Sequence, residues 1–243
     1  MRILALIVGA LMLAACEPVV VATGTPDRPD APDAQAERPF PPGISAEAAR
    51  AARQFLSVVE TVEPVAEREC RRLTRGTNCD FLIVVDDTPG QPPNAFQTED
   101  RFGRPILAFN LGLIASVRNA DELAFIMGHE AAHHVLGHLE RTRQNAAAGA
   151  VIASGIAAIT GASAEAVRYA ERQGAAVGAR SYSKVFELEA DQLGTVITAR
   201  AGYNPVRGAE FFTRIPDPGN RFLGTHPPNA QRMEIVRRTA AGL

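Results

Sequence analysis

The sequence predicts an α+β fold that is mostly helical, and three observations carry that reading. Apolar residues make up 46% of the chain, yet aromatics are only 6% and tryptophan is absent; much of the apolar content is alanine, the strongest helix former. Phe81–Val85 is a continuous β-branched apolar run of strand length, and Asn94–Phe96 and Ile106–Asn110 are two further short ones. Around His129-Glu130-Ala131-Ala132-His133 the chain is rich in helix formers and free of proline, with Asn119 and Glu122 as a capping box ahead of it.

A chain of 243 residues is long enough for one substantial domain plus extensions. The net charge of −2 gives no basic excess of the kind that nucleic-acid binding requires, so nucleic acid is not expected as a partner. Three segments are predicted: 1–15, 16–44 and 45–243. Arg2, the apolar core Ile3–Leu13 and Ala14-Ala15 form a secretory signal. Its end, Leu13-Ala14-Ala15-Cys16, resembles a bacterial lipoprotein signal. That resemblance implies cleavage before Cys16 and acylation of this residue, and acyl chains in combination anchor stably to a membrane. Glu17 rather than aspartate then favours the outer membrane. Glu17–Pro42, rich in Pro, Asp and Ala, reads as a disordered tether. In an exported chain the remaining pair, Cys70 and Cys79, suggests a disulfide between a helix end and a strand start.

The domain elements follow in order. Ser45 caps a helix reaching Thr61; Pro64 restarts or kinks it, and Gly76 stops it after Arg75. Arg68, Arg71, Arg72 and Arg75 interleave with Glu67 and Glu69 as a solvated face. Phe81–Val85 is a buried strand, Asn94–Phe96 begins a second, Glu99–Pro105 is a hairpin loop, and Ile106–Asn110 is the third strand. Leu111–Ser116 is a short helical turn, and the central helix spans Ala120–Arg141. Ala146–Ala164 is rich in Ala and Gly and approaches the length of a membrane span, but its few strongly apolar residues favour a helical hairpin lying against the domain or touching lipid. Helices follow at Ala164–Ala179, Ser183–Arg200, Pro205–Ile215 and Ala230–Ala241, with His226-Pro227-Pro228 before the last.

On a helix, positions four apart share a face. His129 and His133 therefore point at one spot, as the first two ligands of a tetrahedral zinc would. Glu130, beside the first, is placed to take a proton from a water on that ion. Glu187 and Asp191 are also four apart on one helix. Glu187 as the third ligand, with Asp191 accepting the free N–H of a ligand histidine, fits the need of such a site. Spacing alone does not choose between Glu187 and Glu189. His134 and His138 form another pair four apart, but no glutamate follows the first, and packing or capping is the reading for them.

Tyr182-Ser183-Lys184-Val185-Phe186-Glu187-Leu188-Glu189-Ala190-Asp191 resembles the second signature of the HtpX-like and CAAX-prenyl-protease gluzincin metallopeptidases. Asn94-Ala95-Phe96, Ile106–Asn110 with Leu111-Gly112-Leu113, and Thr225-His226-Pro227 with Arg232 resemble further segments of that family, over about 64–238. The lipidated form without membrane helices resembles its periplasmic lipoprotein branch. The resemblance implies a zincin-type domain holding one Zn2+ per chain through His129, His133 and Glu187, with Glu130 as base and Asp191 supporting a ligand. It implies an edge strand, Ile106, Leu107, Ala108, Phe109 and Asn110, that binds substrate together with Asn94 and Ala95. His226 is then either a donor to the oxyanion or a latch on the open zinc position, and Arg232 is a weaker member of the same pocket. Gln97-Thr98-Glu99-Asp100 departs from the proline and glycines common in the family, so the loop there differs.

The expectation is a zinc endopeptidase acting on unfolded or misfolded envelope polypeptides in the periplasm, lipid-anchored to the membrane. A holdase or assembly factor with a structural zinc is the alternative, and the intact Glu130 argues against it. A zinc amidase of the cell wall fits the compartment but not the glutamate-helix signature.

Overall fold

The computed structural model describes Val19–Val20, 44–217, 219 and 226–243. The expected signal, Cys16 and most of the expected tether lie outside the described residues.

Helix α1 (Ala46–Leu73) starts at Ser45, whose hydroxyl accepts from the Ala48 N–H at 3.1 Å. Phe55, Val58, Val59, Val62, Val65 and Ala66 recur at helical spacing on its buried face. No break occurs at Pro64. Proline cannot donate to the Glu60 carbonyl, but both residues lie on the exposed face, where a carbonyl without a helical partner is open to solvent. Thr74 ends the helix, and the expected disulfide follows: Cys70 and Cys79 are bonded, with Cα atoms 5.7 Å apart.

Four strands form one sheet: β1 (Val19–Val20), β2 (Leu82–Asp86), β3 (Ala95–Glu99) and β4 (Pro105–Asn110), in the order β1-β2-β4-β3. The short β1 pairs antiparallel with Val84 and Val85, so the expected tether touches the sheet at this point. Strand β4 pairs in parallel with β2 on one side and antiparallel with β3 on the other. This corrects the expectation for Ile106–Asn110. Both hydrogen-bonding rows of that strand are used within the sheet, and Leu107, Ala108 and Phe109 are buried. It is not an edge; among the described residues the edges are the two-residue β1 on one side and β3 on the other.

The sheet leads into α2 (Leu111–Ser116), capped by the Asn110 side chain, and then α3 (Ala120–Val135), capped by Asn119. Glu122 does not close the expected capping box on Asn119. Its carboxylate accepts from the Arg118 N–H at 2.8 Å and takes both prongs of Arg214 at 2.6 Å. The sequence predicts that α3 reaches Arg141, but the helix ends at Val135. Gly137, at φ +65°, takes a left-handed turn, and a new helix, α4 (His138–Ile159), departs in another direction.

Helices α4 and α5 (Ala164–Ser181) form the expected hairpin, but it does not lie along the domain. Its buried members are only His138 and Gly174, and Val151, Ile152, Ile156 and Ile159 remain exposed. The two helices touch through glycines: a Cβ on Gly149 would stand 2.1 Å from the Gly174 carbonyl oxygen. Among the described residues no helix is long and apolar enough to cross a membrane.

Helix α6 (Ser183–Arg200) packs along α3, and α7 (Pro205–Ala209), a 3-10 turn (Glu210–Thr213) and α8 (Asn229–Ala241) close the far side. The expected Pro205–Ile215 helix is thus split into two short turns. Helix α3 is the centre of the molecule. Leu123, Ala124, Phe125, Ile126 and Met127 are all buried, because α1 and the sheet cover one flank while α6 and α7 cover the other.

Candidate metal centre

The site depends on how closely α3 and α6 approach. They cross where Gly128 faces Gly194. A Cβ on Gly128 would meet the Gly194 carbonyl oxygen at 2.9 Å, and one on Gly194 would meet the His129 backbone nitrogen at 2.9 Å. Two glycines therefore bring the helix of the histidines against the helix of the acids. Thr198 adds a hydroxyl hydrogen bond to the Ala124 carbonyl at 3.4 Å.

At this crossing His129 Nε2 and His133 Nε2 lie 3.0 Å apart, with Glu187 Oε1 3.3 Å from the second and Oε2 3.6 Å from the first. These separations bracket the edge of a tetrahedron about an ion bound at 2.0–2.1 Å, which is about 3.3 Å. Two neutral imidazoles and a carboxylate form a donor set suited to zinc, so the residues fit the metal that the sequence implies. Among the described residues, no other His/Cys/Asp/Glu group converges in this way. Glu189, which spacing could not exclude, points elsewhere and bonds Arg141 at 2.7 Å.

The surroundings fix the ligands. Asp191, fully buried, accepts from His129 Nδ1 at 2.9 Å, which leaves Nε2 for an ion. Arg232 is buried, grips both Asp191 oxygens at 2.7 Å and lies 3.8 Å over the Phe212 ring. Its Nη2 is 3.5 Å from Glu187 Oε2. Burial opposes ionisation of Asp191, but Arg232 and His129 outweigh it and hold the carboxyl below its ordinary range. Glu187 is held well below its ordinary range for a similar reason: its burial is outweighed by the neighbouring His133, His226, His129 and Arg232.

His226 Nδ1 is 3.1 Å from Glu187 Oε2, and the ring is half exposed at the mouth of the site. Glu130 lines the same cleft of ≈ 830 Å³, beside His129 and His133. One wall of the cleft is Asn94, Ala95, Phe96 and Gln97, and the opposite wall is formed by Phe211, Phe212 and Ile215. Of the expected substrate strand, Ile106–Asn110 does not line the cleft. Asn110 instead holds Asn94 in place, accepting its N–H at 3.0 Å and donating to the Pro92 carbonyl at 2.6 Å. Strand β3 takes the position expected of β4.

Sequence alone assigns His138 only packing or capping. The structure buries it and sets its Nδ1 2.8 Å from Nδ1 of the ligand His133. Burial and the neighbouring His133 push its pKa down to about 4, against the pull of Glu189. The signal that could have found it is Gly137, whose left-handed turn breaks the i, i+4 relation assumed for His134 and His138.

A helix-borne His-Glu-x-x-His and a carboxylate from a second helix, meeting at one cleft, are the arrangement of a metallopeptidase domain. The model of Peptidase family M48 matches residues 53–240, and the chain belongs to that family. A similar protein of Vibrio cholerae serotype O1 (strain ATCC 39315 / El Tor Inaba N16961), named as a putative beta-barrel assembly-enhancing protease, is 31% identical over 131 residues. The alignment covers 50% of this chain and 26% of that protein, so the chain spans well under two thirds of its relative's length.

Proposed function

We propose that the chain is a zinc-dependent endopeptidase that cleaves unfolded or misassembled polypeptides of the cell envelope. The observation that carries this is the convergence of His129, His133 and Glu187 at the floor of a cleft that Glu130 also lines. Zinc bound there supplies a Lewis acid that acidifies a water and polarises the scissile carbonyl. Glu130 accepts the proton of the attacking water and passes it to the leaving amine. Asp191 holds the His129 tautomer, and Arg232 keeps Asp191 ionised. A glutamate in that position, facing a cleft, has no use in a purely structural zinc site, and this favours hydrolysis over the holdase reading.

An extended substrate adds to β3, whose outer edge faces the cleft. In the antiparallel β3–β4 ladder, Asn110 N–H bonds the Asn94 carbonyl and Asn94 is two residues from Phe96. Alternation then points the N–H and C=O groups of Ala95, Gln97 and Glu99 outward, free to pair with a peptide. Backbone pairing reads no particular sequence, which suits unfolded chains. His226, bonded to the ligand Glu187, closes the open side as a latch that substrate displaces.

The envelope setting is supported by the name of the Vibrio cholerae relative and by the lipoprotein-like Leu13-Ala14-Ala15-Cys16. In this reading an acylated Cys16 holds the domain in the periplasm on the outer membrane, and 16–44 is its tether. The test is cleavage of an unfolded protein by the purified chain, with and without chelator and with Glu130→Gln. Full activity of Glu130→Gln in cells would transfer the function to holding rather than cutting.

A further inference from the structure

The two ligand histidines are supported differently. His129 donates directly to a carboxylate, Asp191. His133 meets no carboxylate through its Nδ1; it meets the Nδ1 of His138 at 2.8 Å. His138 opens α4 immediately after the left-handed Gly137 and is 3% exposed. Its ring stacks on Phe186, centroids 4.6 Å apart and planes 11° from parallel. Its Nε2 lies 3.0 Å from Glu189 Oε2, and Arg141 holds the same oxygen at 2.7 Å while covering Phe186 at 4.2 Å.

The proton positions along this chain follow from what each atom can do. An ionised carboxylate only accepts, so His138 Nε2 carries the hydrogen facing Glu189. In a neutral imidazole the other nitrogen is then an acceptor. His138 Nδ1 therefore accepts from His133 Nδ1–H, and His133 Nε2 keeps a free lone pair. That nitrogen is the one that faces His129 Nε2 and Glu187.

We propose that His138 and Glu189 are positioning residues that fix His133 in its Nε2-ligating tautomer and orientation, the imidazole–carboxylate counterpart of Asp191 behind His129. The inference rests on the reading of His129, His133 and Glu187 as the metal site. It also explains the break between α3 and α4, because the turn at Gly137 swings His138 back onto the ligand that precedes it by five positions.

The experiment measures zinc affinity of the full chain by competition with a chromophoric chelator for wild type, His138→Ala, His138→Gln, Glu189→Ala and His133→Ala. Ring nitrogen NMR of the zinc-loaded protein reports the His133 tautomer. His138→Ala should weaken zinc binding by about 10–100-fold, with loss of the hydrogen-bonded His133 Nδ1 proton, and His138→Gln, which restores an acceptor, should recover part of it. Glu189 is partly exposed, so Glu189→Ala should fold as wild type and weaken zinc in the same direction by roughly threefold or more. Wild-type affinity in both Glu189→Ala and His138→Ala, with His133→Ala losing zinc, overturns the proposal and leaves the metal site standing. Zinc retained by His133→Ala overturns the site reading itself.

Discussion

Asp191 and Arg232 form a two-pronged ion pair, both contacts 2.7 Å, with both side chains buried. The same Asp191 oxygen that meets Arg232 Nη2 lies 2.9 Å from His129 Nδ1. The orientation of one ligand histidine is therefore tied to a charge pair joining α6 and α8. Removing Asp191 leaves the buried Arg232 with only its longer, 3.5 Å contact to Glu187. Asp191→Ala should cost on the order of 3–5 kcal/mol of stability and weaken zinc binding by about 10–100-fold, measured by urea unfolding and chelator competition. A variant with wild-type stability would show that Arg232 finds water without it.

Strand β3, not β4, is expected to receive substrate. Proline removes a backbone donor, and its effect depends on which way that donor faces. Gln97→Pro takes away an outward N–H and leaves the β3–β4 ladder intact; it should fold and lose most cleavage of unfolded protein. Thr98→Pro takes away an inward donor and should destabilise the domain itself. Circular dichroism melts beside a proteolysis assay separate the two. Equal activity of Gln97→Pro and wild type would remove the strand-addition model.

The helices, the strands and the His129–His133 pair are readable because each depends on local spacing, whereas Glu187 is preferred to Glu189 only through the family resemblance. His129 and His133 share a face whatever surrounds them, and Asn119 caps whatever follows. What was misread depends on contacts distant in sequence. The order of the strands is invisible in Ile106–Asn110, which is apolar enough to be either an edge or the middle of the sheet. Pro64 suggests a break, but its exposure, which removes the need for one, is a tertiary fact. The Gly128–Gly194 crossing that assembles the site joins two glycines, each of which reads only as a weak point in its own helix. His138 acquires its role only through the turn at Gly137, and Arg232, expected only as a member of the pocket, gains its pairing with Asp191 only once α8 is in place.

His226 meets Glu187 at 3.1 Å from the solvent side. As a latch it competes with substrate. His226→Ala should raise basal cleavage of an unfolded protein severalfold without raising zinc affinity. Lower turnover at unchanged substrate affinity would instead make His226 a donor to the oxyanion.

Glu69, buried on α1, accepts from Arg72 at 2.7 Å and from Arg200 of α6, so it ties the first helix to the helix of the acids. Burial opposes its ionisation, but both arginines outweigh this and lower its pKa from 4.5. A lowered carboxyl pKa stabilises the fold above the unfolded value, and that stability is lost as pH falls through the folded one. Glu69→Gln should cost about 1–2 kcal/mol at neutral pH. Its difference from wild type should shrink as pH falls below 4.5, as followed by denaturant melts across the acid range. A cost independent of pH would place the effect in packing rather than charge.

In the proposed mechanism two histidines of α3 and one glutamate of α6 hold an ion that Glu130 puts to use. The most direct test is zinc content together with cleavage of an unfolded protein, for wild type, Glu187→Ala and Glu130→Gln. The expected result is about one zinc per chain in wild type and in Glu130→Gln, loss of zinc in Glu187→Ala, and cleavage by wild type alone, abolished by chelator. Cleavage that survives in zinc-free Glu187→Ala, or in Glu130→Gln, would contradict the mechanism.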